Sequence, residues 1–236
     1  NKRMAELGLC SRREADDWIA QGWVKVNGAV AEMGVKVTPQ DRVTVERAAQ
    51  RHQDARVTIL LNKPMGYVSA QAEDGHTPAV SLINPRSHWR GDQSGLRFTP
   101  PHLRGLALAG KLDAEASGML VFTQEGSVAR RITGDDTRLE KEFMVRVEGE
   151  LSPEGMKLLN HGLALDDVKL KRAQVSWQNE QQLRFVLHES KKRQIQRMCE
   201  LVGLRVTSIK RIRIGSVSLG KLPVGKWRYL RENERF

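Results

Sequence analysis

One carboxylate stands out in the stretch GKLDAEASGMLVFT, residues 110–123. Asp113 lies between Leu112 and a turn of small residues, and the apolar run from Met119 to Phe122 that follows is typical of a buried strand. A carboxylate held on a tight loop in front of a buried strand can serve as a nucleophile. Because Asp is also an ordinary turn residue, the stretch alone leaves a purely structural role open.

The rest of the sequence limits the chemistry that Asp113 can call on. The His and Cys residues show no pair at metal-ligand spacing, so we expect no metal. Neither a phosphate-binding GxxxxGK[ST] loop nor a glycine-rich dinucleotide fingerprint is present. We therefore expect chemistry carried out by side chains, with no cofactor.

The positive charge is concentrated in one part of the chain. The net charge is +11, and the segment from Arg184 to Arg228 contains twelve Lys or Arg and two acids, which is nearly the whole excess. A concentrated basic region is typical of a protein with a polyanionic partner. A solvated basic face without a partner remains the alternative.

Targeting features are absent from the sequence as given. No apolar run approaches the roughly 20 residues that a membrane-spanning helix needs, and no secretory signal pattern is present. Cys10 and Cys199 lie far apart, which argues against a disulfide framework. We expect a cytoplasmic protein with no membrane contact, and we take a monomer as the default state.

Two domains are predicted. Residues 1–47 read as a compact helix pair with a small sheet, in which Ser11 and Glu14 form a capping-box pattern and Asn27–Gly28 a turn. Residues 48–56 are polar and read as a linker. Residues 57–236 are predicted to form the larger domain, with residues 84–110 as a long, mobile and variable insertion.

The larger domain is predicted to belong to the α+β class. Many strand patterns and few helical ones indicate a mixed, mainly antiparallel sheet flanked by helices. Among the helices, SKKRQIQRMCELVG places Ile195, Met198 and Cys199 on one face and Arg193, Gln196 and Arg197 on the other.

In their order and spacing, the motifs resemble those of the bacterial ribosomal RNA pseudouridine synthases of the small-subunit-type family, and most closely the branch that modifies large-subunit rRNA. The first domain is similar to the RNA-binding module of ribosomal protein S4. The matching motifs are LNKPMGYVSA, GKLDAEASGMLVFT, KEFMVRVEG, KKRQIQRMCELVG and RIRIGSVSLGKLPVGKWRYL. The resemblance covers nearly all of the chain outside residues 84–110.

This resemblance implies a cofactor-free isomerisation in which uracil is detached from its ribose, rotated and rejoined through carbon. Asp113 would be the essential carboxylate, acting as a covalent nucleophile or as a base. The target base would have to flip out of folded RNA, with its stacking replaced by an aromatic side chain and an apolar wall. The implied partner is RNA: large-subunit rRNA is favoured, with tRNA or an assembly intermediate left open.

Two positions depart from the family pattern. Phe143 stands where the family usually has Tyr, which keeps a stacking face but loses a hydroxyl; a plain core residue is the alternative. Gln196 stands where the family usually has Arg or Lys, a cation that pairs with the catalytic carboxylate. We expect Arg193 or Arg197 to supply the missing charge; otherwise the enzyme would be weakened. The catalytic candidates are thus Asp113, Phe143, Arg193, Gln196 and Arg197.

Ten basic residues are candidates for RNA binding, although Lys63 could be a surface turn lysine and the strand residues simple solvated charges. They are Arg3, Arg12, Arg13, Lys63, Lys111, Lys191, Lys192, Lys210, Arg211 and Arg213. Two other functions compete with a synthase. One is a catalytically weakened or inactive RNA-binding or ribosome-assembly protein on the same fold, and the other is a methyltransferase carrying the same small RNA-binding module.

Overall fold

The computed structural model describes residues 1–69, 75–134 and 139–236. It divides into two compact units, Asn1–Arg56 and Val57–Phe236.

The helices are α1 Lys2–Glu6, α2 Arg12–Ala20, α3 Arg47–Asp54, α4 Gly126–Thr133, α5 Pro153–Asn160 and α6 Gln194–Leu201, with short 3₁₀ turns at Ala79–Leu82 and Pro100–Leu103. The strands are β1 Val24–Val26, β2 Ala29–Val30, β3 Val43–Val45, β4 Thr58–Lys63, β5 Tyr67–Val68, β6 Thr77–Pro78, β7 Ala107–Ala109, β8 Ser117–Thr123, β9 Lys141–Glu148, β10 Ala164–Leu165, β11 Val168–Lys169, β12 Gln174–Asn179, β13 Gln182–Leu187, β14 Arg205–Ile214, β15 Val217–Ser218 and β16 Trp227–Tyr229.

The first unit packs three helices with a small sheet in the order β2-β1-β3. The predicted capping box is present, because the Ser11 side chain accepts from the Glu14 N–H while the Glu14 carboxylate accepts from the Ser11 N–H. The β1–β2 hairpin turns at Asn27 and Gly28, both with positive φ, as tight hairpins require. Trp18 is among the buried residues that form this unit's core.

The segment 48–56 differs from the predicted linker. Most of it belongs to α3, whose Ala49 is fully buried in the core of the first unit. The helix was not predicted because the segment is polar in composition. The buried residue Ala49 is small, so the segment shows no apolar periodicity. Arg56, just beyond the helix, forms an ion pair with Glu14 of α2.

The second unit is built on a nine-stranded sheet, as the α+β prediction required. The strand order is β12-β13-β9-β14-β8-β4-β16, with β15 added to β14 and β7 added to β8. The β8–β14 ladder is parallel, whereas the other ladders of this sheet are antiparallel.

Both faces of the central strands are covered, which explains why β4 and β8 are apolar without alternation. Ile59, Leu61, Leu120 and Phe122 point into one core, to which α5 and α6 contribute. The residues between them, including Leu60, point into a second core on the opposite face, to which α4 contributes.

Residues 84–110, expected to be a mobile insertion, are bonded to the last strand. The Trp227 indole N–H donates to the Asn84 carbonyl at 2.9 Å, and the Tyr229 N–H donates to the Asp92 carboxylate at 3.0 Å. The His102 ring nitrogen lies 2.6 Å from the Tyr229 hydroxyl. The segment ends in β7, which pairs with β8. The Pro, Gly and Arg content that suggested a loop does not reveal these long-range partners.

Across the described ranges of the chain, no helix combines the length and apolar character needed to cross a membrane.

Candidate active site

Asp113 lies on a loop between β7 and β8 whose backbone is tied down on both sides of it. The Leu112 N–H donates to the Ser69 hydroxyl at 2.9 Å, and that hydroxyl donates back to the Leu112 carbonyl. The Ala114 carbonyl accepts from the Gly66 N–H at 2.8 Å, and the Ala116 N–H donates to the Asp113 carbonyl at 3.0 Å. These bonds fix the backbone that aims the Asp113 side chain.

Lys63, at the end of β4, also contacts the backbone of the loop that carries Asp113. Its ammonium donates to the carbonyls of Pro64 and Tyr67 at 2.8 and 2.9 Å and approaches that of Ala114 at 3.4 Å. The residue is fully buried, and burial lowers the pKa of Lys63 to about 8, with the charge of Asp113 opposing the shift. The charged end of Lys63 thus faces carbonyls inside the protein, and RNA binding by this residue stays a prediction.

The Asp113 carboxylate borders a cavity of about 430 Å³, a size suited to a small ligand or a single base. Phe143 of β9 forms part of its wall, together with Leu187, Ile195 and Ile209. The ring of Phe143 is 7 % exposed. The predicted combination of one aromatic residue and an apolar wall beside Asp113 is therefore present in the structure.

Arg211 of β14 lies at the inner end of the cavity. Its side chain is 3 % exposed, so Arg211 is not a solvated surface charge, and its contact with RNA stays a prediction. Its Nε donates to the Met119 carbonyl at 2.8 Å and its Nη1 to the Lys111 carbonyl at 3.0 Å. Burial lowers the pKa of Arg211 to about 10, and the negative charge of Asp113 opposes that shift.

A third buried cation, Lys141 of β9, lies near Arg211. Its ammonium donates to the Ser190 hydroxyl at 2.9 Å. Burial and, as a smaller cause, the positive charge of Arg211 together lower the pKa of Lys141 to about 8. Of the three buried cations Lys63, Arg211 and Lys141, Arg211 is the one that lines the Asp113 cavity.

Gln196 is 8 % exposed and lines the cavity from α6. The two arginines expected to replace its charge have carboxylate partners elsewhere. Arg197 forms a two-pronged pair with Asp166, at 2.9 and 2.6 Å. Arg193 precedes the helix in a left-handed conformation, and its Nε lies 3.6 Å from the Glu115 carboxylate. Neither arginine lines the Asp113 cavity, although Arg193 lines an adjoining depression that Gln196 also borders.

The remaining basic candidates fall into groups. Lys111 and Lys192 are exposed, Lys191 is half-buried, and all three line the cavity. Lys210 is half-buried on β14, while Arg213 bonds to Glu140 and Glu142, which neutralise its charge. In the first unit, Arg12 and Arg13 are exposed at the start of α2, and Arg3 lies 3.7 Å from Glu6.

Sequence reasoning missed Ser69 and Ser190. Ser69 follows β5 in the motif LNKPMGYVSA, but nothing local signals that its hydroxyl reaches Leu112, 43 positions away. Ser190 likewise meets Lys141 through strand pairing that joins distant segments. Within the described residues, no group of three or more His, Cys, Asp or Glu side chains is arranged to hold a metal ion.

Comparison with known proteins gives the class that this fold and site define. A model of the RNA pseudouridylate synthase family matches residues 57–201, and a model of the S4 domain matches residues 1–43. The chain therefore belongs to the RNA pseudouridylate synthase family, and it is a pseudouridine synthase with an S4 domain.

Named relatives extend over the whole chain. It is 33 % identical over 236 residues to the dual-specificity RNA pseudouridine synthase RluF of Salmonella typhi, covering 99 % of this chain and 76 % of the relative. It is 30 % identical over 248 residues to the ribosomal large subunit pseudouridine synthase B of Pseudomonas aeruginosa, covering 99 % of this chain and 59 % of that protein. A crystal structure of a pseudouridylate synthase aligns with a TM-score of 0.65 at 25 % identity, covering 98 % of this chain and 95 % of that one. These relatives favour the synthase over a non-enzymatic RNA-binding protein and over a methyltransferase.

Proposed function

We propose that this synthase isomerises a uridine of large-subunit rRNA, with Asp113 as the reacting carboxylate. The observation that carries the proposal is the position of Asp113, on a loop bonded to Ser69, Gly66 and Lys63, at a base-sized cavity walled by Phe143. The names of the Salmonella and Pseudomonas relatives favour RNA, and in the second case the large ribosomal subunit, as the substrate.

The apolar wall fits a base extruded from folded RNA. Extrusion costs a few kcal/mol of stacking and pairing. The ring of Phe143 offers a stacking surface, and Leu187, Ile195 and Ile209 complete a dry boundary that partly offsets the loss. Because Phe lacks a hydroxyl, the aromatic residue contributes stacking here but no proton transfer.

Asp113 would act at the sugar–base unit once the base is in place. As a nucleophile the carboxylate bonds to C1′ as the bond from C1′ to uracil N1 breaks; as a base it takes a proton from the ribose as that bond breaks. Uracil then rotates and its C5 bonds to C1′, which displaces the carboxylate in the first route and returns the proton to the ribose in the second. The hydrogen on C5 leaves as a proton. The amide of Gln196 can donate a hydrogen bond to a base carbonyl within the same cavity.

RNA outside the cavity would be held by its phosphates. Lys111, Lys191 and Lys192 line the cavity and could neutralise the strand that carries the target. Arg12 and Arg13 at the start of α2 are exposed and suited to the same task in the S4 domain. We propose a monomer as the active form, cytoplasmic and with no bound cofactor.

The experiment measures tritium release from transcripts labelled at C5 of uridine, because that hydrogen is lost when uracil rejoins through C5. Wild type, Asp113→Asn and the matched control Asp167→Asn, an exposed carboxylate on a different loop, are compared on large-subunit fragments, small-subunit fragments and tRNA. We expect release from a large-subunit fragment by wild type and Asp167→Asn, and none by Asp113→Asn.

Other results would change the assignment. Release from tRNA or small-subunit RNA alone would overturn the proposed target while leaving the role of Asp113 standing. Full activity of Asp113→Asn would overturn that role. If no RNA released tritium while the protein still bound RNA tightly, a non-enzymatic RNA-binding function would be favoured. Gln196 would then be the first residue to replace by Arg, to test whether activity returns.

A further inference from the structure

Position 196 leaves the carboxylate of the site without the cation that the resembled family places on this helix. Gln196 lines the cavity but is neutral. Arg197 is hydrogen-bonded to Asp166, and Arg193, whose Nε lies 3.6 Å from the Glu115 carboxylate, does not line the cavity. A cation that lines the cavity beside Asp113 would therefore come from another element of the fold.

Arg211 is placed to provide it. The parallel β8–β14 ladder pairs Arg211 with Gly118, so the strand that carries the guanidinium runs beside the strand that follows the Asp113 loop. The approach is close: a Cβ at Gly118 would lie 2.2 Å from the Arg211 carbonyl oxygen. The guanidinium then bonds to Lys111 on one side of Asp113 and to Met119 on the other.

One donor of this guanidinium remains unused. Nη2 of Arg211 is buried and has no hydrogen-bond partner in the structure, although Nε and Nη1 are both bonded to carbonyls. A buried, unpaired donor on a charged group costs stability. Another buried arginine of the same sheet, Arg228, is by contrast fully paired with Glu234 at 2.6 and 2.7 Å. Arg3 and Arg231 also have a buried Nε without a partner, but neither lines the cavity. Arg211 does, and it interacts electrostatically with Asp113.

We propose that Arg211 is a positioning residue that supplies, from the sheet, the positive charge facing Asp113 that position 196 lacks. The Nη2 donor is closed to solvent, so a bond to the carboxylate or to a substrate oxygen requires a local movement of the cavity wall. Lys63 adds a second positive charge near Asp113, but its ammonium donors are occupied by the carbonyls of Pro64, Tyr67 and Ala114. The inference rests on the proposed function of Asp113.

The first test needs no turnover and so separates this proposal from the proposed function. Thermal midpoints are measured for wild type, Asp113→Asn, Arg211→Gln, which removes the positive charge, and the double variant. If the two charges interact, the two changes are non-additive by about 2 °C or more. Additive midpoints would overturn the proposal even if no uridine were converted.

The second test measures how the charge of residue 211 affects kcat and its pH dependence. We expect Arg211→Gln to lower kcat about 100-fold and to shift the acid limb of the kcat/KM profile to higher pH. We expect Arg211→Lys to keep the acid limb of wild type, while its activity declines at a lower alkaline pH, because a buried lysine loses its proton before an arginine does. Adding Gln196→Arg should recover at least about tenfold in kcat, in Arg211→Gln at neutral pH and in Arg211→Lys above the pH at which its activity declines.

The control is Arg228→Gln, which removes a buried arginine outside the site; we expect it to lower stability and to leave both limbs of the profile unchanged. If Arg211→Gln does not fold, Arg211→Lys with and without Gln196→Arg decides the question. A lysine variant with the alkaline limb of wild type, or a folded double variant with no recovery, would contradict the role of Arg211.

Discussion

Removing the Ser69 hydroxyl tests whether the tied backbone around Asp113 matters for catalysis. In Ser69→Ala the side chain keeps its size to within one atom, but the Leu112 N–H and carbonyl both lose their partner. Ser69 is 8 % exposed, so water does not reach the two groups freely.

The expected magnitude follows from the two stranded backbone groups. A buried polar group without a partner costs about 1 to 3 kcal/mol, and the open cavity nearby lets water recover part of it. We therefore expect the free energy of unfolding to fall by about 2 to 4 kcal/mol. Because the loop that aims Asp113 loosens, kcat should fall about 10- to 100-fold with little change in KM.

Urea unfolding and steady-state tritium release measure the two effects on the same preparation. The matched control is Ser81→Ala, whose hydroxyl also donates to a backbone carbonyl, that of Pro78 at 2.7 Å, but on the surface. We expect this control to change stability by less than about 0.5 kcal/mol and to leave kcat unchanged. A folded Ser69→Ala enzyme with wild-type kcat would refute the reasoning that loop rigidity positions Asp113.

Three further predictions concern other parts of the second unit and the thiols. Gly118→Ala should destabilise by about 3 kcal/mol or more in urea unfolding, because φ is +104° and the added carbon would meet backbone at 2.2 Å; wild-type stability would contradict the close strand approach. Burial lowers the pKa of Lys63 from 10.5 to about 8, so the unfolded chain binds the extra proton between those values and the free energy of unfolding should rise with pH across that window. In Lys63→Met, the free energy of unfolding from urea titrations should rise less between about pH 8 and pH 10 than in wild type. An equal rise in the two proteins would contradict the lowered pKa of Lys63. Burial raises the pKa of the Cys199 thiol to about 12, so iodoacetamide should label Cys10 in the native protein and Cys199 only after unfolding, as peptide mass mapping would reveal.

The fold class and several local features were predictable because their signals are short-range. The capping box at Ser11, the turn at Asn27–Gly28 and the cap of α5 at Ser152 each depend on residues within a few positions. The α+β class followed from counting strand and helix patterns. The helix α3 was not predicted because its sequence is mostly polar and its buried residue Ala49 is small, so no apolar stripe is visible.

The site was predictable in its chemistry but not in its geometry. The resemblance of the motifs to the family implied roles for Asp113 and Phe143, and both residues line one cavity in the structure. The environment of the basic residues was not readable, because a lysine in a turn motif and an arginine in an alternating strand look the same whether they face water or carbonyls. Lys63 and Arg211 are buried by the pairing of β4, β8 and β14, which joins segments more than 50 residues apart.

The position of β16 in the sheet has a consequence for how the molecule folds. Trp227 pairs with Leu61, so β4 has no neighbour on that side until nearly all of the second unit has been synthesised. Pairings this distant in sequence make folding slow, and an uncovered apolar strand is prone to aggregate in the meantime. We therefore expect refolding yields to fall with protein concentration and the rate-limiting step to be docking of the segment around Trp227, detectable by its tryptophan fluorescence.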